Sequence, residues 1–198
     1  MSTPHRAVLL MVVFMLAFVA GKTVATCDSA LLIIDVQKLW VEQEGWLTAD
    51  GAHIVDAVAA VLESVREAGL LVVFVKDVST SYATEDQLEF PDAIAPRGGE
   101  PVIEKLERSA FDGTQLRQIL ETRGIKRLLI SGITSYACVS ATVNEARELE
   151  YEVLVIADAH SGGSNGKIAD FRNRWWIKWG ISVLLTEEID FASLCAAP

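Results

Sequence analysis

Three polar residues that are far apart in the sequence are of types that together perform nucleophilic chemistry. Asp35 lies at the end of the apolar run ALLIIDV, Lys105 lies in VIEKLERSAF, and Cys138 follows GITSYA at the predicted start of a helix. The N-terminus of a helix stabilises a thiolate, and its free N–H groups can also hold an oxyanion. A free cysteine has a pKa of about 8.5, so reaction at neutral pH requires a base or a cation nearby. Asp35 is a candidate for the base and Lys105 for the cation.

Each of these residues also has an ordinary structural interpretation. Free cysteines such as Cys138 are usually small buried hydrophobes. Asp35 could cap the turn after its strand, and most lysines, Lys105 included, are expected in solvent. The chemical hypothesis gains support because all three residues are predicted at one edge of one sheet, where open parallel sheets bind ligands.

The spacing of apolar residues predicts alternating strands and helices from residue 30 onward. Continuous apolar runs predict buried parallel strands, and apolar residues at helical spacing between 54 and 65 predict a helix. The predicted strands are Ala30–Val36, Leu71–Val75, Arg127–Ser131, Glu152–Ala157 and Ile181–Leu185, and the further helices lie at about 113–123, 138–149 and 166–179. Residues 77–101, interrupted by prolines, are predicted to form a long loop of a kind that is often functional. This alternation predicts an α/β domain with three layers, α/β/α, around a mainly parallel central sheet.

The first 26 residues differ in composition from the rest of the chain. After a polar, charged start, Ala7–Ala20 is an unbroken run of 14 apolar residues, whereas a bilayer span needs roughly 20. This pattern is typical of a secretory signal peptide. We predict that residues 1–26 are a signal peptide or an N-terminal anchor and that 27–198 form the folded domain; a buried N-terminal helix or strand is the alternative. The protein is then expected to be secreted or periplasmic, or cytoplasmic if there is no signal, with a membrane as partner only if the segment is retained.

Composition and charge exclude several classes of protein. Apolar residues make up 51% and charged residues 22% of the 198 residues, which excludes a disordered chain and permits a sizeable core. The net charge of −10 argues against nucleic acid as a partner, because phosphate neutralisation requires a positive field. Three cysteines are too few for a disulfide-stapled miniprotein. Cys27 and Cys195 lie near the two ends of the chain and either pair in an oxidising compartment or remain free thiols.

Four segments of this chain resemble the isochorismatase-like cysteine hydrolases, and they occur in the order typical of that family. The segments are LLIIDVQ, VIEKLERSAFDGTQL, LLISGITSYACVSATVNEA and VLVIADA, and the similarity extends over roughly residues 30–189. The resemblance implies the α/β/α fold, a small-molecule substrate and a homo-oligomer. It also implies that Asp35, Lys105 and Cys138 form a catalytic triad.

The resemblance further implies how the reacting groups are arranged. A non-proline cis peptide is expected between Ile133 and Thr134, and the N–H groups of Thr134 and Cys138 are expected to form an oxyanion hole. The implied reaction is hydrolysis of a C–N bond in a small amide or carbamoyl-type compound through a thioester on Cys138. Two alternatives stay open: a vinyl ether hydrolase of the isochorismatase type, which does not need the cysteine, and a non-catalytic binding member of the family.

The sequence gives only a weak indication of which residues contact the substrate. Gln37, Trp40 and Trp46 follow the first strand, and Tyr136 lies two residues before the cysteine. We predict that these side chains line the pocket, with plain packing as the alternative for each aromatic ring. Arg108 could meet an acidic group of a substrate or lie at the surface.

The three histidines do not match the metal-binding pattern of the nicotinamidases in this family, which use an Asp-x-His motif and a second histidine. The histidines of this chain are His5, His53 and His160. We therefore expect no metal and no cofactor. His53 is predicted to be solvated near the start of a helix, and His160 is predicted to lie in a loop, with a role in the pocket as the less favoured alternative.

Overall fold

The computed structural model describes residues 27–42, 51–162 and 167–195. The strands are β1 (Ser29–Ile34), β2 (Leu71–Asp77), β3 (Val102–Lys105), β4 (Arg127–Ile133), β5 (Glu152–Ser161) and β6 (Ser182–Leu184). The helices are α1 (Lys38–Val41), α2 (Gly51–Ala68), α3 (Glu85–Leu88), α4 (Leu116–Thr122), α5 (Cys138–Glu148) and α6 (Lys167–Lys178). These strands pair in parallel in one sheet with the order β3-β2-β1-β4-β5-β6. The predicted fold class, with a mainly parallel central sheet between layers of helices, is confirmed.

The central strand β1 separates two apolar cores. All six of its residues are buried, and because side chains alternate across a strand, they contribute to both faces of the sheet. Leu31 and Ile33 pack with α2 on one face, while Leu32 and Ile34 pack with α4, α5 and α6 on the other. A strand buried on both faces has no polar alternation, which explains its continuous apolar sequence.

The segment between β2 and α4 differs most from the prediction. Residues 77–101 were expected to be one long loop, but they contain α3 and a short 3-10 turn, and the edge strand β3, for which no prediction was made, follows them. β3 has only four residues, and their burial alternates between exposed and buried. A strand of four residues directly after Pro101 is too short to show a clear hydrophobic pattern in the sequence. It is identified only by its pairing with β2, which is a tertiary contact.

Two strands continue past their predicted ends. β4 extends to Ile133 and β5 to Ser161, and a register shift lies between the two strands next to Gly132. The prediction that His160 lies in a loop is therefore wrong, because this residue is paired with Gly132 inside the sheet and is buried. His53 is exposed in the first turn of α2, as predicted.

Some predictions concern segments outside the described residues. The N-terminal segment 1–26 and Trp46 both fall there. Within the described ranges, no helix is both long enough and apolar enough to cross a bilayer. The homo-oligomer also stays a prediction; in the single chain, α6 leaves Phe171 and Ile177 largely exposed.

The two ends of the described domain are joined covalently. A disulfide links Cys27, just before β1, to Cys195 in the final 3-10 turn, across a sequence separation of 168 residues. The Ser29 hydroxyl adds a hydrogen bond of 3.2 Å to the carbonyl of Leu194. Of the two alternatives that the sequence left open for these cysteines, the structure has the paired form, and Cys138 is free.

We predict that this crosslink stabilises the fold substantially. Replacing both cysteines (Cys27→Ser with Cys195→Ser) is expected to lower the free energy of unfolding by about 2–5 kcal/mol, because the disulfide restricts the unfolded chain. Denaturant unfolding of the oxidised parent and the double variant measures the difference. A thiol titration of the unreduced, denatured parent should find the single thiol of Cys138, and finding three thiols would contradict the pairing.

Candidate active site

The structure brings the three candidate residues together at one edge of the sheet. Asp35 directly follows β1, Lys105 is the last residue of β3, and Cys138 is the first residue of α5, after β4. The Lys105 Nζ lies 2.9 Å from Oδ2 of Asp35 and 3.4 Å from the Sγ of Cys138. This meeting follows from topology, because the carboxyl ends of neighbouring parallel strands share one edge of the sheet.

The backbone around these residues adopts conformations that depend on their surroundings. Asp35 has a φ of 56°, in the left-handed region that aspartate tolerates better than most residues. Gly132 has a φ of 124°, and a Cβ at this position would collide with the backbone of Ile34 in the neighbouring strand. The predicted cis peptide between Ile133 and Thr134 is present. Together these features direct the loop after β4 toward Asp35.

Lys105 is the cation at the centre of the site. Its side chain has no exposed surface, and its three ammonium protons have three acceptors: the Asp35 carboxylate, the Glu107 carbonyl at 3.1 Å and the Sγ of Cys138. Burial works against the charge, but Asp35, Cys138 and Asp77 outweigh it and raise the pKa of Lys105 above its usual value. The ammonium is therefore charged throughout the physiological range.

Asp35 has the properties of an acid–base group at neutral pH. Burial raises its pKa from 3.8 to about 7, and Lys105 and the Cys138 thiol only partly oppose this effect. Its Oδ2 contacts Lys105, whereas its Oδ1 is buried and has no hydrogen-bond partner at ordinary distance among the described groups. A carboxylate oxygen of Asp35 lies within 4.8 Å of the Cys138 Sγ. The Asp35 carboxylate is thus near the thiol, and its Oδ1 has no hydrogen bond among the described groups to lose if it accepts a proton.

Cys138 rests as a thiol rather than as the thiolate that the sequence suggested. Burial, followed by the nearby charge of Asp35, raises its pKa from 9.0 to about 12, although Lys105 acts in the opposite direction. The helix terminus and Lys105 both favour the thiolate, so the sequence suggested a thiol that ionises easily. This expectation was wrong, because burial and the charge of Asp35 favour the neutral thiol more strongly.

Asp77 belongs to this site and was missed in the sequence. It is the last residue of β2, its Oδ2 lies 3.6 Å from the Lys105 Nζ, and its side chain is 16% exposed. It directly follows the predicted strand LVVFV and Lys76, so the rule that pointed to Asp35 would also have found it. Potential metal-ligand atoms of Asp35, Asp77 and Cys138 lie within 4.8 Å of one another, but the Lys105 ammonium already lies within 3.6 Å of all three side chains.

A small cavity opens beside the sulfur. Its volume is about 180 Å³, and its lining residues are Asp35, Trp40, Asp77, Ile133, Thr134, Tyr136, Ala137 and Cys138. The structure thus places Trp40 and Tyr136 on the wall, as predicted, and Tyr136 is 42% exposed. Arg108 is exposed and does not line this cavity.

Gln37 lies elsewhere than the sequence suggested. It is fully buried, and it is absent from the lining of the cavity. Its amide donates to the carbonyls of Asp77 and Leu88, at 3.0 and 2.9 Å, and accepts the Asp77 N–H at 2.9 Å. Gln37 therefore holds the end of β2, and with it Asp77, rather than contacting the cavity.

A buried polar network supports the loop between β4 and α5. His160 Nδ1 lies 2.8 Å from the Ser135 Oγ, and its Nε2 lies 2.7 Å from the Asn173 Oδ1. The Asn173 amide donates to the carbonyl of Ala157, so its oxygen accepts from Nε2–H and the Ser135 hydroxyl donates to Nδ1. Burial lowers the pKa of His160 to about 4, which keeps the ring neutral and the hydrogen bonds in this order. No local sequence pattern marks this network, because its members come from three elements.

Comparisons with known proteins agree with this geometry. The isochorismatase domain family matches residues 29–172. Streptothricin hydrolase of Streptomyces noursei is 32% identical over 138 residues, which are 67% of this chain and 49% of that protein. Ureidoacrylate amidohydrolase RutB of Klebsiella variicola is 26% identical over 181 residues. This match covers 71% of this chain and 77% of that protein. The chain thus spans about half the length of the first relative and about three quarters of the second.

A solved structure shares both the fold and part of the sequence. N-carbamoylsarcosine amidase from Thermoplasma acidophilum superposes with a TM-score of 0.72 at 26% identity, covering 82% of this chain and 99% of that one. The family domain matches most of the chain, and two of the four sequence segments, LLIIDVQ and LLISGITSYACVSATVNEA, contribute residues to the wall of the cavity. The chain belongs to the isochorismatase domain family of hydrolases.

Proposed function

We propose that this protein is a cysteine hydrolase that cleaves a C–N bond of a small amide or carbamoyl-type substrate through a thioester on Cys138. The observation that carries the proposal is the buried Asp35: one of its carboxylate oxygens lies within 4.8 Å of the Cys138 Sγ, its Oδ2 is held by Lys105, and its Oδ1 has no hydrogen-bond partner among the described groups. The names of the relatives, an amidohydrolase and an amidase among them, support the reaction class.

The first step forms the bond between the sulfur and the substrate's carbonyl carbon. The thiol has a pKa of about 12 and Asp35 a pKa of about 7, so a free thiolate is scarce. Asp35 accepts the thiol proton as the S–C bond forms, and the Lys105 ammonium stabilises the negative charge on the sulfur and the carboxylate.

The oxyanion of the tetrahedral intermediate needs donors close to the sulfur. The N–H groups of Thr134 and Cys138 suit this role, since neither donates to another group in the described part of the chain. The N-cap residue of α5 is Ala137, whose side chain accepts no hydrogen bond, so the Cys138 N–H remains available, whereas the Val139 N–H donates to the Thr134 carbonyl at 3.3 Å.

The remaining steps return the enzyme to its starting state. Protonated Asp35 gives its proton to the leaving nitrogen as the C–N bond breaks, which leaves a thioester on Cys138. Asp35 then removes a proton from water as the water attacks the thioester. The C–S bond breaks, the acid product leaves, and Asp35 returns the proton to the sulfur, which restores the thiol.

The network at Ser135 positions this loop. The Ser135 hydroxyl is bound to His160, its N–H donates to the Ser161 carbonyl at 3.0 Å, and its carbonyl accepts the Ser140 hydroxyl at 2.6 Å. Ser135 directly follows Thr134 and lies three residues before Cys138, so its contacts set the direction of the proposed oxyanion donors.

The proposed place of action is an oxidising compartment. The disulfide between Cys27 and Cys195 supports it, because structural disulfides persist outside reducing cytoplasm. We propose that residues 1–26 act as a signal and are removed. N-terminal sequencing of the exported protein tests this directly, and an intact N-terminus on exported protein would contradict it.

Loss of the sulfur is expected to abolish amide hydrolysis. Cys138→Ala should lose turnover and the thioester adduct seen by mass spectrometry, with a thermal midpoint close to that of the parent. The double variant of Cys27 and Cys195 is the matched control and should keep its activity. Substantial amide turnover by Cys138→Ala would contradict the scheme. Equal cleavage of isochorismate by the parent and the variant would favour the vinyl ether hydrolase. A parent that is inactive on all of these substrates would favour the non-catalytic binding protein.

The pH dependence should report the ionisation of Asp35. Because the carboxylate is the base, kcat/KM for a neutral amide is expected to fall about tenfold per pH unit below about pH 7 and to level off above it. Asp35→Asn should lower kcat by about 10²–10⁴. Asp56→Asn, an exposed carboxylate on α2, should keep the parent profile. A parent profile that stays flat through pH 7 would show that Asp35 is not the base.

The Ser135 network is expected to act on kcat more than on KM. Ser135→Ala should lower kcat by up to about 100-fold, because a small displacement of the oxyanion donors is costly. Ser131→Ala is the matched control: this buried hydroxyl in β4 donates to the Leu32 carbonyl, away from the loop.

A graded series at His160 separates positioning from stability. His160→Leu should reduce kcat like Ser135→Ala, whereas His160→Gln, which keeps one acceptor and one donor, should restore part of it. If Ser131→Ala and Ser135→Ala lowered both the thermal midpoint and kcat equally, the network would be merely structural.

A further inference from the structure

Asp77 has a carboxylate oxygen that receives no hydrogen bond from the described residues and has only a long ionic contact with Lys105. The three ammonium protons of Lys105 are used by Asp35, Glu107 and Cys138, so Asp77 has only a longer contact of 3.6 Å with the ammonium. Its Oδ1 accepts the N–H of Ser79 at 2.8 Å. Its Oδ2 receives no hydrogen bond from the described residues, although Asp77 lies on the wall of the cavity.

When Asp35 is ionised, which is the form that accepts the thiol proton in the proposed reaction, the cavity has an excess of negative charge. Two carboxylates, those of Asp35 and Asp77, share the single ammonium of Lys105. Among the described residues, no arginine and no second lysine lines the cavity.

The rest of the wall also suits a positive group. Trp40 and Tyr136 lie on the same cavity as Asp77, and aromatic faces attract ammonium and guanidinium groups. A carboxylate oxygen of Asp77 lies within 4.8 Å of the Cys138 Sγ. A group that binds Asp77 would consequently lie close to a carbonyl carbon that the sulfur attacks.

We propose that Asp77 determines specificity by binding a positive charge next to the scissile carbonyl, so that the substrate is a small cationic amide or carbamoyl compound. This inference rests on the proposed C–N hydrolysis and narrows its substrate. The ammonium or guanidinium group donates to Oδ2 of Asp77 and restores the charge balance of the cavity. An anionic substrate would instead place its negative charge next to the Asp77 carboxylate, and this repulsion would exclude the substrate from the cavity.

A matched series of three amides tests the charge preference. Glycinamide, propionamide and malonamate are of similar size and differ in the charge carried next to the scissile carbonyl, and at pH 7 the glycinamide amine is mostly protonated. The parent is expected to show kcat/KM in the order glycinamide, propionamide, malonamate, with at least about tenfold between the first two. An order with malonamate first, or no difference among the three, would overturn the inference.

Variants assign the preference to Asp77. Asp77→Asn, with Asp77→Ser as a second variant should the first fold poorly, is expected to bring the ratio of glycinamide to propionamide close to one and to raise malonamate relative to both. Glu104→Gln is the matched control, since it removes one negative charge from an exposed position on β3. An unchanged ratio in both Asp77 variants would overturn the role of Asp77.

The two proposals fail in different ways. If the parent cleaves none of the three amides, the proposed function is in doubt, and selectivity is then read from protection of Cys138 against alkylation. Glycinamide should slow alkylation of the parent but not of Asp77→Asn, and malonamate should slow neither. Equal protection by glycinamide and malonamate would overturn the inference independently of turnover.

Discussion

The buried ammonium of Lys105 is the contact on which the candidate site depends. It joins Asp35 at 2.9 Å, Cys138 at 3.4 Å and Asp77 at 3.6 Å, from a side chain with no exposed surface. Without it, two carboxylates would face each other and the thiol in a largely apolar setting. Removing one partner of a buried ion pair typically costs about 3–5 kcal/mol, because the other charge is left uncompensated. Lys105 thus stabilises the fold and permits Asp35 to lie beside a sulfur.

The parallel sheet makes this cluster possible. Asp35, Asp77 and Lys105 each end, or directly follow, a strand of one three-stranded unit, β3-β2-β1, and Cys138 follows the next strand, β4. Their side chains meet because parallel strands place all of their carboxyl ends at one edge. The apolar cores on both faces hold the strands in register, so the site is built on rigid elements and only the loop after β4 needs separate support. Ser135, His160 and Gly132 provide that support.

Burial determines the protonation states of both the Cys138 thiol and the Asp35 carboxyl group. Burial favours the neutral form of both Cys138 and Asp35, which is why the pKa of each is raised. At neutral pH the sulfur in this site is therefore a thiol rather than a thiolate. The site holds a neutral thiol next to an oxygen that accepts a proton at neutral pH, and Lys105 compensates the negative charge wherever it resides. In this arrangement Asp35 can serve as the base in attack and as the acid toward the leaving nitrogen.

The sequence alone determined the fold class and the identity of three central residues. Continuous apolar runs predict parallel strands, and the strand-end rule then places Asp35 and Cys138 at one edge without knowledge of any contact. Tertiary structure decided the rest, for physical reasons. The pKa of Cys138 depends on burial by residues distant in the sequence. The edge strand β3 exists only through its pairing with β2. His160 is buried because β5 continues alongside β4, and Gln37 is turned away from the cavity by hydrogen bonds to Asp77 and Leu88. Local patterns predict elements and their ends, whereas burial and hydrogen-bond partners arise only when those elements pack.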